Sequence, residues 1–149
     1  MNKVFAHDVH VQSADCDPAG IVFYPQFLVM ADGVKDQWFA RGLGHSRREL
    51  LSKRRVHVEP ENVRCDFSLP VRMGEDLRFE LSVLEIQDAS VRIRIAGKRH
   101  TVEHLSITQD FAFVSLDTRR AVPVPADLRP RIEEYLAEPE AVLLRGKAP

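Results

Sequence analysis

The stretch PQFLVMADGVKDQWFAR, residues 25–41, decides how this chain must fold. Phe27, Ala31, Val34 and Trp38 recur at intervals of four, three and four. That spacing is one face of an α-helix about 25 Å long. Pro25 suits the first helical turn, and Gly42 and Gly44 supply a stop. Asp32, Lys35, Asp36 and Arg41 fall mostly on the opposite side and are expected to face water. Gly33 costs roughly 1 kcal/mol against Ala inside a helix. A close approach by a strand or a partner chain would account for it.

On both sides of this helix the apolar period changes to two. Residues 7–15 alternate, with Val9 and Val11 opposed to His10 and Gln12, which predicts a half-buried strand. Beyond the helix, Val56, Val58, Val63, Cys65 and Phe67 are spaced by two, and Pro60 predicts a kink or bulge among them. Leu77, Phe79, Leu81 and Val83 form the next run, then Val91, Ile93 and Ile95, then Leu105, Ile107, Gln109, Phe111 and Phe113. The breaks at residues 73–76, at Gln87-Asp88-Ala89 and at Gly97-Lys98-Arg99 are short, which predicts antiparallel hairpins. Ser46 with Glu49 three residues on reads as a capping box opening a short helix to Leu51. A last helical turn or two is expected over Asp127–Leu136, with a loose tail over 139–149. One long helix and one antiparallel sheet can bury each other's apolar faces, so the expected class is α+β, a single two-layer domain over 1–149.

The 149 residues carry 21 Lys+Arg against 22 Asp+Glu, a formal net charge of −1. A dedicated nucleic-acid binder would be markedly basic. Cys16 and Cys65 form no disulfide framework and no C-x-x-C pair, so no structural metal is expected. His57-Val58-Glu59 lacks the P-C-x-x-C of zinc deaminases and reads as strand. Lys53-Arg54-Arg55 reads as a solvated start of the next strand. No secretory signal and no membrane span is evident, and the expected setting is cytoplasmic. No nucleotide loop, nucleophile elbow or cofactor fingerprint is present, so no cofactor is expected.

The chemistry concentrates at Asp15–Tyr24, between a strand end and the helix start. A carboxylate there can serve as base or nucleophile, and free N–H groups at the helix start can hold an oxyanion. Equally, Asp15 and Asp17 can simply make turns or cap the helix. Cys16 lacks a nearby His and reads as a small apolar filler.

Asp15-Cys16-Asp17-Pro18-Ala19-Gly20-Ile21-Val22-Phe23-Tyr24-Pro25 closely resembles the active-site motif of the 4-hydroxybenzoyl-CoA thioesterase family. These are hotdog-fold acyl-CoA thioesterases, in which an antiparallel sheet wraps one long helix. Asp32 matches a family position on that helix, and Arg120-Ala121-Val122-Pro123-Val124-Pro125-Ala126-Asp127 resembles the closing segment. The resemblance implies that Asp17 is the catalytic carboxylate and that the backbone N–H of Tyr24 faces the thioester oxygen. It makes Pro18 and Gly20 the shapers of the turn and places Arg120 near the CoA phosphates. The hairpin that carries a basic cluster in relatives handling 4-hydroxybenzoyl-CoA reads Gln87-Asp88-Ala89 here. Arg92 and Arg94, with Lys98 and Arg99, are the alternative phosphate ligands, against a plain solubilising role. The implied partner is an acyl-CoA substrate, aromatic or short-chain, and the implied assembly is a homo-oligomer, a dimer or tetramer. A non-catalytic acyl-CoA binding module and an acyl-carrier-protein thioesterase are the rival readings of the same fold.

Overall fold

In the computed structural model residues 2–138 are described, and the tail expected over 139–149 lies outside them. Strand β1 (Phe5–His10) is followed by helix α1 (Pro25–Gln37), helix α2 (Arg47–Arg54), strands β2 (Val56–Phe67), β3 (Asp76–Ile86), β4 (Ser90–Arg99) and β5 (Val102–Ser115), and helix α3 (Arg129–Glu133). The five strands form one sheet in the order β1-β3-β4-β5-β2, antiparallel throughout. Its inner face packs on α1. Phe27, Ala31, Val34 and Trp38 are all buried, as the four-three-four spacing demands. Leu77, Phe79, Leu81, Val83, Val91, Ile93, Ile95, Leu105, Ile107, Phe111 and Phe113 complete the same core.

Several local expectations shift. The strand expected over 7–15 ends at His10, because Ser13–Asp15 closes a 3-10 turn. After Gln37, α1 widens into a π-type segment, Trp38–Leu43, that ends on Gly44 at φ 81°. The Ser46 hydroxyl accepts a hydrogen bond from the Glu49 N–H at 3.0 Å, so the cap forms as read, but α2 runs on to Arg54. Lys53-Arg54-Arg55 is therefore a helix end: Lys53 pairs with Glu49, Arg54 with Asp127 and Arg55 with Asp117. The predicted bulge appears as a register shift against β5 between Pro60 and Asn62.

Gly97-Lys98-Arg99 is not a break. Gly97 lies inside β4, between Phe79 and Leu105, and the reversal occurs after it, at His100 (φ 57°). A Cβ on Gly97 would stand 2.7 Å from Leu105 Cδ2. Its small size thus lets three strands close over the core, a packing role rather than a turn. Gly33 is the opposite case: a Cβ there meets nothing within 4 Å, so no strand approaches it among the described residues.

Lys35 is the main departure on α1. It is expected to face water, yet it is 2% exposed. Its Nζ donates to Gln109 Oε1 at 2.7 Å and sits 5.4 Å from the centre of the Phe111 ring. Gln109 is the polar member of β5's inward run, so the two interruptions of the apolar pattern satisfy each other.

Candidate functional site

The connection from β1 to α1 is tied at both ends. Cys16 bridges Val22, and Ile21 bridges Arg72. The Asp17 N–H donates to Ile21 O at 2.8 Å, and the Gly20 N–H donates to Asp17 O at 2.9 Å. This is a tight turn with Gly20 at φ 77°, a conformation that costs a residue with a Cβ far more. Pro18 holds the second position of the turn with its fixed φ. Asp17 Oδ1 accepts from the Ala19 N–H at 2.9 Å and from the Ile21 N–H at 3.1 Å. The second carboxylate oxygen makes no hydrogen bond among the described residues. Asp17 therefore does make the turn, as its simpler reading holds, but one oxygen suffices for that task. It does not cap α1.

The helix start is leaner in donors than its position implies. The Gln26 N–H donates to Phe23 O and the Phe27 N–H to Tyr24 O, and Pro25 has no N–H. The Phe23 N–H is engaged by Asp15 O at 3.0 Å. The donor left over is the Tyr24 N–H, which is unpaired among the described residues. It stands at the positive end of the α1 dipole.

Beside it lies a cleft of about 270 Å³, walled on one side by Ile21, Val22, Tyr24 and Phe27 and on the other by Phe67–Val71. The wall is apolar. The rings of Phe27 and Phe67 lie 5.8 Å apart, and Tyr24 meets Phe67 edge-on at 6.1 Å. Asp17 does not line the cleft itself but is hydrogen-bonded to Ile21, which does. Burial, reinforced by Asp15 and Asp17, raises the Cys16 thiol above its ordinary value, which is the wrong direction for a nucleophile.

The three arginines expected at the phosphates do not gather at this cleft. Arg92 and Arg94 lie on the far face of the sheet. Arg92 pairs with Asp110 at 2.7 Å, and Arg94 with both Glu103 oxygens at 2.8 Å. Arg92 lines a separate polar pocket of about 100 Å³ with Glu61 and Glu85. Strand alternation explains the placement: Val91, Ile93 and Ile95 take the inner face, so the arginines between them take the outer one. Arg120 is exposed and its side chain makes no ion pair among the described residues. Its carbonyl accepts from the Ser115 N–H, at the Val56 end of β2. Phe67 and the cleft are at the other end of β2, about 35 Å away within one chain at ~3.3 Å per residue.

Spacing also gave no sign of the Asp32–Arg47 lock. Arg47 donates from Nη1 and Nη2 to the Asp32 carboxylate, each at 3.0 Å, and from Nε to Asp36 at 2.6 Å. Arg47 holds the Asp32 carboxyl below the usual carboxylate range. The pairing fastens α2 to α1.

With this geometry in place, residues 11–132 match the family model of the Thioesterase-like superfamily. No curated protein matches the chain. Among solved structures, a thioesterase superfamily protein from Jannaschia sp. CCS1 is 24% identical, with a TM-score of 0.85 over 93% of this chain and 96% of that one. A gentisyl-coenzyme A thioesterase is 21% identical, with a TM-score of 0.78 over 85% of this chain and 98% of that one. A 1,4-dihydroxy-2-naphthoyl-CoA thioesterase from Synechocystis is 20% identical, with a TM-score of 0.78 over 89% of this chain and 97% of that one. These likenesses establish the hotdog fold.

Proposed function

The chain belongs to the Thioesterase-like superfamily, and from that premise we propose that it hydrolyses an acyl-CoA thioester carrying an aromatic or short acyl group. The observation that carries this reading is the meeting of three features at the head of α1. Asp17 has a free carboxylate oxygen, the Tyr24 N–H is unpaired, and Tyr24 lines one apolar cleft together with Ile21, whose N–H donates to Asp17.

A thioester carbonyl needs a donor for the oxygen that becomes negative and a carboxylate to deliver the attack. The Tyr24 N–H supplies the first, aided by the helix dipole, and comparable donors are worth about 3–4 kcal/mol in other acyl-transfer sites. Asp17 supplies the second, either by attacking the carbonyl or by taking a proton from water. The bonds from Ala19 and Ile21 hold the carboxylate in place for it. Pro18 and Gly20 set the turn that aims it. In the first route the departing CoA thiolate leaves a mixed anhydride on Asp17 that water then opens; in the second the water oxygen bonds to the carbonyl carbon as the thiolate leaves; both release the free acid.

The aromatic class is supported by the Phe27 and Phe67 rings, against which a flat acyl group can stack. The gentisyl and dihydroxynaphthoyl thioesterases of the same fold point the same way. Hydroxybenzoyl-CoA, the substrate of the family that the motif resembles, is the first to test. The active species is a homo-oligomer, and Arg120 is the phosphate ligand best placed to be free.

A panel of benzoyl-, hydroxybenzoyl-, acetyl-, hexanoyl- and palmitoyl-CoA, followed by thiol release, tests the reading. Highest kcat/KM is expected for the aromatic or short thioesters. Tight binding of all five without thiol release would favour a binding module instead.

A further inference from the structure

The two walls of the cleft are joined by a short ladder. The Val22 N–H donates to Val71 O at 2.9 Å, and the Met73 N–H donates to Gly20 O at 2.9 Å. Ile21 and Arg72 lie opposite each other between these two bonds. Ile21 is also the residue that holds Asp17. Its N–H donates to Asp17 Oδ1, and its carbonyl accepts from the Asp17 N–H. Wherever residues 71–73 stand, Ile21 and the Asp17 carboxylate must follow.

Residues 71–73 are not held by this ladder alone. In an antiparallel pair every second residue turns its own N–H away from the facing segment. Arg72 is such a residue, and its N–H donates to Glu75 Oε1 at 2.6 Å. The Arg72 carbonyl accepts from the Glu75 N–H at 3.1 Å, which closes a four-residue turn. That turn is fastened in its own right: the Val11 N–H donates to Glu75 O and the Gly74 N–H to Val11 O, each at 2.9 Å. The second oxygen of Glu75, Oε2, pairs with Arg99 Nη1 at the end of β4. The two side chains are 22% and 29% exposed, so solvent screens this pair less than the open surface pairs such as Arg64–Asp66. Arg99 Nε is buried without a hydrogen-bond partner among the described residues. Leaving that donor orphaned is a cost, and the contact with Glu75 is what holds the guanidinium there in spite of it.

We propose that Glu75 and Arg99 are positioning residues of the site. The relay runs from Arg99 through the two Glu75 oxygens to the Arg72 N–H, crosses the ladder to Ile21, and ends on Asp17 Oδ1. Neither side chain lines the cleft. They act on orientation: they hold the turn that aims the free Asp17 oxygen, on the same wall that carries the Tyr24 N–H. Misplacing a reacting group by about 1 Å can cost on the order of 100-fold in rate. The relay stands on the hydrogen bonds alone, and its bearing on turnover rests on the acyl-CoA reading of the site.

Two readouts test the relay. The first is amide hydrogen exchange, followed residue by residue by NMR. Glu75→Ala removes both contacts and should speed exchange at Ile21, Val22, Arg72 and Met73 about tenfold or more, while Phe79 and Ile93 in the core strands change less than about threefold. An equal rise everywhere, or none at the ladder, overturns the relay. The second readout is steady-state kinetics on the best thioester of the panel. Glu75→Ala should lower kcat about tenfold or more and leave KM within about threefold. Glu75→Gln keeps an oxygen for the Arg72 N–H and should bring kcat back to within about threefold of wild type. Arg99→Met leaves Glu75 without its anchor and should fall between the two. A folded Glu75→Ala protein with wild-type kcat, or a loss that Glu75→Gln does not reduce, refutes the positioning role, and Arg99→Met at wild-type kcat refutes the part assigned to Arg99. If the wild-type protein releases thiol from no member of the panel, the hydrolase reading fails and the exchange result alone decides the relay.

Discussion

Asp17→Asn separates the turn-forming bonds of one carboxylate from the catalytic task proposed for it. Oδ1 accepts from Ala19 and Ile21, and an Asn side chain keeps an oxygen in that place. What changes is the strength of those bonds. Bonds to a charged group contribute about 1.5–3 kcal/mol and neutral ones about 0.5–1.5, so the exchange costs about 1 kcal/mol per bond and about 2 kcal/mol in all. For a domain of this length that lowers Tm by about 4–8 °C, and the fold survives. Asp17→Ala loses both acceptors and should melt lower still. The other oxygen, which the turn leaves free, becomes an amide NH2 that can neither attack nor accept a proton. Turnover of the best substrate in the panel should fall at least ~100-fold, an increase of about 2.7 kcal/mol in the barrier. KM should change little, since the cleft wall and the Tyr24 N–H remain. Steady-state kinetics, thermal melting and sedimentation on the same preparation decide the matter. An Asn variant within about threefold of wild-type kcat, folded and assembled, would end the catalytic assignment and leave Asp17 a turn former.

Arg120→Ala should raise KM for full-length acyl-CoA about tenfold while leaving kcat nearly unchanged, and should barely affect a truncated thioester without the nucleotide. Equal KM for the full substrate in both proteins would make Arg120 a surface residue. Because Arg120 lies about 35 Å from its own chain's cleft, a phosphate role in the proposed homo-oligomer is one played for another subunit, so a mixed oligomer of Asp17→Asn and Arg120→Ala chains should hold intact sites and recover about half the wild-type rate at low substrate. A site built within one chain would recover almost none. Burial, reinforced by the Arg47 charge, lowers the Lys35 ammonium to about 8, although Asp32 and Asp36 oppose the shift. The unfolded chain then binds more protons than the folded one between about pH 8 and 10.5, so stability rises across that window as the pH rises. The full gain, on the order of 3 kcal/mol, should be absent in Lys35→Met, compared by denaturant titration at pH 7.5 and 10.

The parts of this fold that were legible are those set by local period. Four-three-four spacing placed α1 because burial of Phe27, Ala31, Val34 and Trp38 needs no knowledge of the partner surface. Pro60 marked the bulge because a residue without an N–H must interrupt the β2–β5 ladder or sit where the ladder opens. The turn at Asp17 was legible as a place but not as a geometry. Nothing in the spacing says that Oδ1 is occupied by Ala19 and Ile21, or that Gln26 and Phe27 spend their N–H groups within the helix. Lys35 and Gly97 were misread for one shared reason. Both are residue types whose usual setting is water or a turn, and both were placed by a contact from a distant strand: Gln109 for the lysine, Leu105 for the glycine. A polar residue on each of two facing apolar stripes was the available signal, Gln109 on β5 and Lys35 on α1.

The arginines were hidden by connectivity rather than by chemistry. Arg120 follows β5 by five residues, and β5 lies next to β2, whose far end carries the cleft. Two elements adjacent in the sheet thus hold the basic segment and the site at opposite ends of a ladder. A residue match alone points Arg120 to phosphate binding, whereas the sheet order sets it at the opposite end of the ladder from its own chain's cleft.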